Sequence, residues 1–153
     1  METRDDERDI SSQREKAEQT IKQKLLKRFG KTAIINPETG EVKINEAHVY
    51  DDPQVIKNIR HNCNEVSRIV SEIIDGDRKI IKADGINPAI KYNDGEKERE
   101  IASGLSTAIH AFVVDDEGKV WDPITNEWGE NDIEYYRDKV VTDNAERIEI
   151  TLA

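Results

Sequence analysis

The chain has one cysteine, four prolines, eight glycines and eight aromatic residues (two Phe, two Trp, four Tyr) in 153 positions. A single cysteine rules out an internal disulfide, which fits a reducing compartment. No apolar run approaches the roughly 20 residues that cross a bilayer. The first ten residues are nearly all polar or charged, unlike a secretory leader. The expectation is a cytoplasmic protein with no membrane contact, with leaderless export left open. Positive charge is also scarce: 23 Lys and Arg stand against 33 Asp and Glu, a formal charge of −10. Phosphates would be repelled and no basic patch stands out, so nucleic acid is not an expected partner.

What remains is enough chain for one core-forming domain with an appended arm. The division expected is a charged tail and amphipathic helix over residues 1–30, then a domain over 31–153. Residues 1–10 are polar enough to predict disorder. Ser12 and Glu15 form a capping box, Ala17, Ile21, Leu25, Leu26 and Phe29 an apolar stripe, and Gly30 a stop. The helix over 12–29 either packs on the domain or docks on a protein partner or a second copy. Thr32–Ile35 and Glu41–Ile44 flank Asn36-Pro37-Glu38-Thr39-Gly40, a hairpin signal. His48 and Tyr50 fall in a linker, and Pro53 opens a short helix carrying Val55, Ile56 and Ile59.

The organising stretch is His61-Asn62-Cys63-Asn64-Glu65-Val66. Asn62 is a good N-cap and Glu65 completes a second capping box, so Cys63 becomes the first helical residue. Val66, Ile69, Val70, Ile73 and Ile74 recur at helical spacing, and Asp75-Gly76 reads as the stop. A thiol at a helix start faces the positive end of the dipole, which favours the nucleophilic thiolate. A lone cysteine beside a cap is by itself an ordinary small hydrophobe. Its partners decide the matter.

Lys79–Lys82 reads as a short strand and 84–100 as a polar, mobile excursion carrying Gly85, Pro88 and Gly95. The strongest strand signal is Thr107–Asp115, with His110, Phe112 and Val114 on one face and Ile109, Ala111 and Val113 on the other. Asp116-Glu117-Gly118 makes a tight turn. Pairing Asp115 with Lys119 sets Phe112 opposite Asp122, so Asp122 lies on the face of His110 and diagonal to it. The β-carbons are then roughly 5–8 Å apart, within reach of a carboxylate–imidazole hydrogen bond. A one-residue slip would separate the two. Trp121 points the other way, toward core, and Pro123 ends the strand. A short helix with Ile133, Tyr136 and Val140 follows, then a closing strand, Arg147–Leu152, with Ile148, Ile150 and Leu152 inward.

Cysteine, histidine and aspartate thus supply a nucleophile, a base and a group that orients the base. Asn62-Cys63 opening a helix, Ile109-His110-Ala111-Phe112-Val113, and Gly118-Lys119-Val120-Trp121-Asp122-Pro123 resemble the papain-like and transglutaminase-like cysteine-enzyme superfamily over about residues 53–125. The resemblance implies an α+β fold in which the nucleophile helix packs on an antiparallel sheet, here with an N-terminal amphipathic helix and hairpin added. It also implies acyl chemistry on an amide of a protein or peptide, as in peptidases, amidases, protein-glutamine deamidases or transglutaminases, with no cofactor. Cys63 would be the nucleophile, His110 the base and then acid, Asp122 the orienter, and the Cys63 N–H one oxyanion donor. Papain carries a glutamine a few residues before its cysteine. Here Gln54 is nine residues upstream, so the second oxyanion donor stays open among Gln54, His61 and Asn62. Two alternatives stand beside this reading. One is a metal site from His61, Cys63, His110 and Asp122, whose His-x-Cys spacing is poor. The other is a catalytically inactive papain-like adaptor acting through its N-terminal helix.

Overall fold

A computed structural model describes residues 3–29, 33–44, 59, 62–93, 98–101 and 107–153. The chain divides into two compact units, Met1–Arg60 and His61–Ala153. The hairpin falls in the first of these units with the N-terminal helix.

In the first unit α1 runs Thr3–Phe29 and the hairpin pairs β1 (Ala33–Ile35) with β2 (Val42–Ile44). The expected disorder of residues 1–10 gives way to helix from Thr3 onward. No Gly or Pro interrupts the run from Thr3 to Phe29, and polarity alone does not stop a helix once its neighbours propagate it. Ser12 and Glu15 therefore lie inside α1 and do not cap it. The stripe residues Ile21, Leu25 and Leu26 are fully buried. In the hairpin turn, Gly40 takes φ +74 and its N–H donates to the Asn36 carbonyl at 2.8 Å. His48, Tyr50, Pro53, Gln54, Val55 and Ile56 lie outside the described residues; Ile59 is buried.

The second unit is α+β. Helix α2 (Cys63–Ile73) leads into β3 (Gly76–Asn93), β4 (Glu98–Glu100), β5 (Thr107–Asp115) and β6 (Lys119–Asp122). A 3₁₀ turn (Pro123–Thr125), β7 (Glu127–Asp132), α3 (Ile133–Lys139) and β8 (Val141–Leu152) complete it. All the strands pair antiparallel in one six-stranded sheet, ordered β4-β3-β5-β6-β7 with β8 along the other side of β3. No described helix is long and apolar enough to cross a membrane.

The β5–β6 register is the one the turn implies: Val113 faces Trp121 and Val114 faces Val120, with Gly118 at φ +81. Directly paired residues share a face, so His110, Ile81 and Ile150 point one way and Ala111, Ile80 and Thr151 the other. The first face carries the core cluster, in which Phe112, Val114 and Ile81 meet Tyr136 and Val140 at the end of α3. The second face receives α2, where the Arg78 Nε donates to Ser67 Oγ at 3.1 Å. Val66 and Val70 are buried there, worth about 1.5–3 kcal/mol each.

Two expectations are corrected in this unit. Residues 84–93 are not an excursion; they continue β3, which pairs β8 as far as Lys91. Gly85 and Pro88 mark a register shift between Asp84 and Ala89 rather than a loop, since a bulge absorbs residues that ladder pairing rejects. Helix α2 ends at Ile73, just ahead of the Asp75-Gly76 stop, and Gly76 opens β3, where an added Cβ would lie 2.5 Å from the Val114 carbonyl oxygen. Ile148 and Leu152 are exposed, at 43% and 65%, on β8, which among the described strands pairs only with β3. Trp121 is buried on the face opposite Asp122, with Gly129 against its ring and its indole N–H donated to Asp115 at 2.9 Å.

Candidate active site

His110 and Asp122 meet as their shared parity predicts. His110 Nε2 lies 2.7 Å from Asp122 Oδ2, and both side chains are buried, at 0% and 1% exposure. An ionised carboxylate only accepts, so the Nε2 proton belongs to histidine and Nδ1 is the ring atom left for a second partner. This orientation is the reverse of the serine-protease template, where Nε2 faces the nucleophile.

Asp122 has further donors. It closes β6 and caps the 3₁₀ turn, its Oδ1 accepting from the Ile124 N–H at 3.1 Å. Oδ2 also accepts from Thr125 Oγ at 2.9 Å and from Tyr136 Oη at 2.7 Å. Burial alone would push this carboxyl up. The His110 charge and hydrogen bond, then the two hydroxyls, reverse the sign and hold it below the usual carboxylate value. Tyr136 moves the other way: burial and the Asp122 charge raise its phenol well above the ordinary value, so its proton stays in place.

Cys63 is the first residue of α2, as expected, and is half-buried. Asn62 occupies the N-cap position with its carbonyl accepting from Val66 N–H at 2.8 Å. The Asn62 side chain makes no cap hydrogen bond, at backbone angles of φ −129 and ψ 43. The first turn is tied from the sheet, where Arg78 reaches Ser67 and the carbonyl of Asn64.

The thiol and the imidazole act on each other. Burial raises the thiol pKa, but the hydrogen bond to His110, the backbone N–H of Ala111 and the His110 charge outweigh it, and Cys63 falls below its usual value. For His110, burial opposes protonation, while Asp122 and then Cys63 favour it and lift the pKa to about 9. Nδ1 itself makes no hydrogen bond of regular geometry. Thiol and ring are therefore neighbours that a small rotation would align, and apo sites commonly tighten only with substrate. The Ala111 amide can reach the thiol because the β5–β6 ladder is confined to Val113–Trp121 and Val114–Val120, before the two strands part.

The structure thus brings together Cys63, His110 and Asp122 and leaves Gln54 and His61 outside the described residues. Among the described residues, no group of three or more His, Cys, Asp or Glu has the arrangement to hold a metal ion. Sequence reasoning missed Thr125, Tyr136 and the Ala111 amide. Two signals pointed to the first two: Asp122 before Pro123 is an N-cap pattern that draws Thr125 in, and a buried tyrosine hydroxyl demands an acceptor. No protein family, curated protein or solved structure matches this chain.

Proposed function

We propose that the chain is a cysteine-dependent enzyme acting on an amide carbonyl through Cys63, His110 and Asp122, built on a papain-like or transglutaminase-like plan. The observation that carries this reading is the buried His110–Asp122 pair with its second ring nitrogen left to a thiol at a helix start. A buried imidazolium backed by a fully hydrogen-bonded carboxylate stabilises a neighbouring thiolate, which a packing cysteine does not need.

In this mechanism the Cys63 thiolate attacks the carbonyl carbon, forming the C–S bond and moving charge onto oxygen. The Cys63 N–H receives that charge at the α2 terminus, and the Ala111 N–H steadies the thiolate. Imidazolium then gives its Nδ1 proton to the departing amine as the C–N bond breaks. Water or a second amine, deprotonated by the same Nδ1, opens the thioester and restores the thiol. The substrate class is a protein or peptide amide. The alternative is an inactive adaptor acting through its N-terminal helix; burial of Ile21, Leu25 and Leu26 leaves α1 less apolar surface for that role.

The test is mass spectrometry of the protein incubated with a panel of peptide amides and glutamine-containing peptides. The expected result is an acyl adduct on Cys63 and released product in wild type, and neither in His110→Ala. Product formation that survives Cys63→Ala overturns the mechanism.

A further inference from the structure

Tyr136 and Lys139, three residues apart on α3, both reach the segment that follows Asp122. Lys139 Nζ donates to the Thr125 carbonyl at 2.7 Å and to the buried Glu127 carboxylate, which also accepts from Asn131 at 3.0 Å. Tyr136 goes further and donates to Asp122 itself. Asp122 Oδ2 therefore receives three donors, from His110, Thr125 and Tyr136, at 2.7, 2.9 and 2.7 Å. A carboxylate oxygen offers about two lone-pair sites. A proton can bind Oδ2 only by displacing one of these groups.

We propose that Tyr136 is a positioning residue for the reaction: its hydroxyl holds Asp122 as a fixed anion, so that the Nε2 proton remains on His110 throughout turnover. This rests on the reading of Cys63 and His110 as the reacting pair. The charged and titratable groups involved are Cys63 from α2 and Asp122 from β6, both facing His110. Tyr136 from α3 lies behind Asp122, and Glu127 with Lys139 lies beyond it. Thr125 shares the task from the 3₁₀ turn. With one donor fewer, the carboxylate becomes a stronger acceptor toward the imidazolium, and His110 becomes a weaker acid.

The experiment follows the His110 ring by NMR titration in wild type, Tyr136→Phe and Thr125→Val. Tyr136→Phe keeps the ring that packs on Phe112 at 4.7 Å between centroids, so packing is preserved. The expected result is an upward move of the His110 midpoint by about half a unit to one unit in each variant. A tyrosine that merely fills the core would leave the midpoint alone, and unchanged midpoints overturn the proposal. Should Tyr136→Phe fail to fold, Thr125→Val decides. Iodoacetamide alkylation of the wild type and His110→Ala, run alongside, separates the two claims. Alkylation that ignores His110 defeats the enzyme reading, whereas alkylation that depends on His110 with unmoved variant midpoints defeats only the role of Tyr136.

Discussion

Asp122 and Cys63 flank His110 on its two sides, and their surroundings differ. Asp122 is buried, closes a strand, caps a turn and accepts four hydrogen bonds. Cys63 is half-buried, opens a helix whose N-cap side chain does not cap it, and meets His110 without a regular hydrogen bond. In the proposed mechanism the base is fixed in the core, and the nucleophile stands at the rim. The difference is what the proposed acyl transfer asks for. The base must keep one orientation through two proton transfers, while the sulfur must move by a fraction of an ångström to bond and release carbon.

The largest effect that separates the two is on folding. Asp122→Ala leaves a buried imidazolium, two hydroxyls and an amide without their acceptor. It should cost about 3–5 kcal/mol in urea unfolding, whereas Cys63→Ala should lie within about 1 kcal/mol of wild type.

The pH dependence sharpens the contrast. His110 is raised from 6.5 to about 9, so its contribution is whole below about pH 6.5 and is lost as the pH rises through its folded value. Asp122 is depressed below 3.8, so its contribution is whole above that value and is lost on further acidification. Cys63, depressed from 9.0, gains stability as pH rises and offsets part of the His110 loss. Unfolding of Cys63→Ala followed from pH 4 to 10 should therefore show a plateau to about 6.5 and a decline of up to about 3 kcal/mol above it. A flat profile in that variant would count against the buried imidazolium.

Support for the base can be broken at a distance. An added Cβ on Gly129 would lie 2.3 Å from the Trp121 ring, and the backbone there has φ +77. Gly129→Ala should lower stability by about 1–3 kcal/mol in thermal or urea unfolding, through overpacking and strain. The smallest effect is expected on the nucleophile side. Ser67→Ala removes a hydroxyl that accepts from Arg78 and should cost about 1 kcal/mol. It should also change the Cys63 alkylation rate while leaving the His110 titration in place.

The sheet half of the site was legible in the sequence for a simple reason. Strand parity and a tight turn ending in Gly118 fix register, and register alone sets His110 diagonal to Asp122. The helix end was legible only in position. Asn62 and Glu65 matched a capping pattern, yet the Asn62 side chain does not cap, and the first turn is also tied by Arg78, a residue eleven positions beyond Ser67 that no local pattern links to it. Residues 84–93 were misread because composition says "loop" wherever Gly and Pro fall. What made a strand of them was pairing with β8, fifty or more residues on. Tyr136 was read as an apolar helix position, and its hydroxyl partner came from a turn outside the helix.

The most direct measurement is the pH dependence of Cys63 alkylation by iodoacetamide, in wild type and in His110→Ala. The account predicts rapid modification persisting well below the range of an ordinary thiol, and its loss in the variant. Slow alkylation that the substitution leaves unchanged would make Cys63 a packing residue and contradict the central claim.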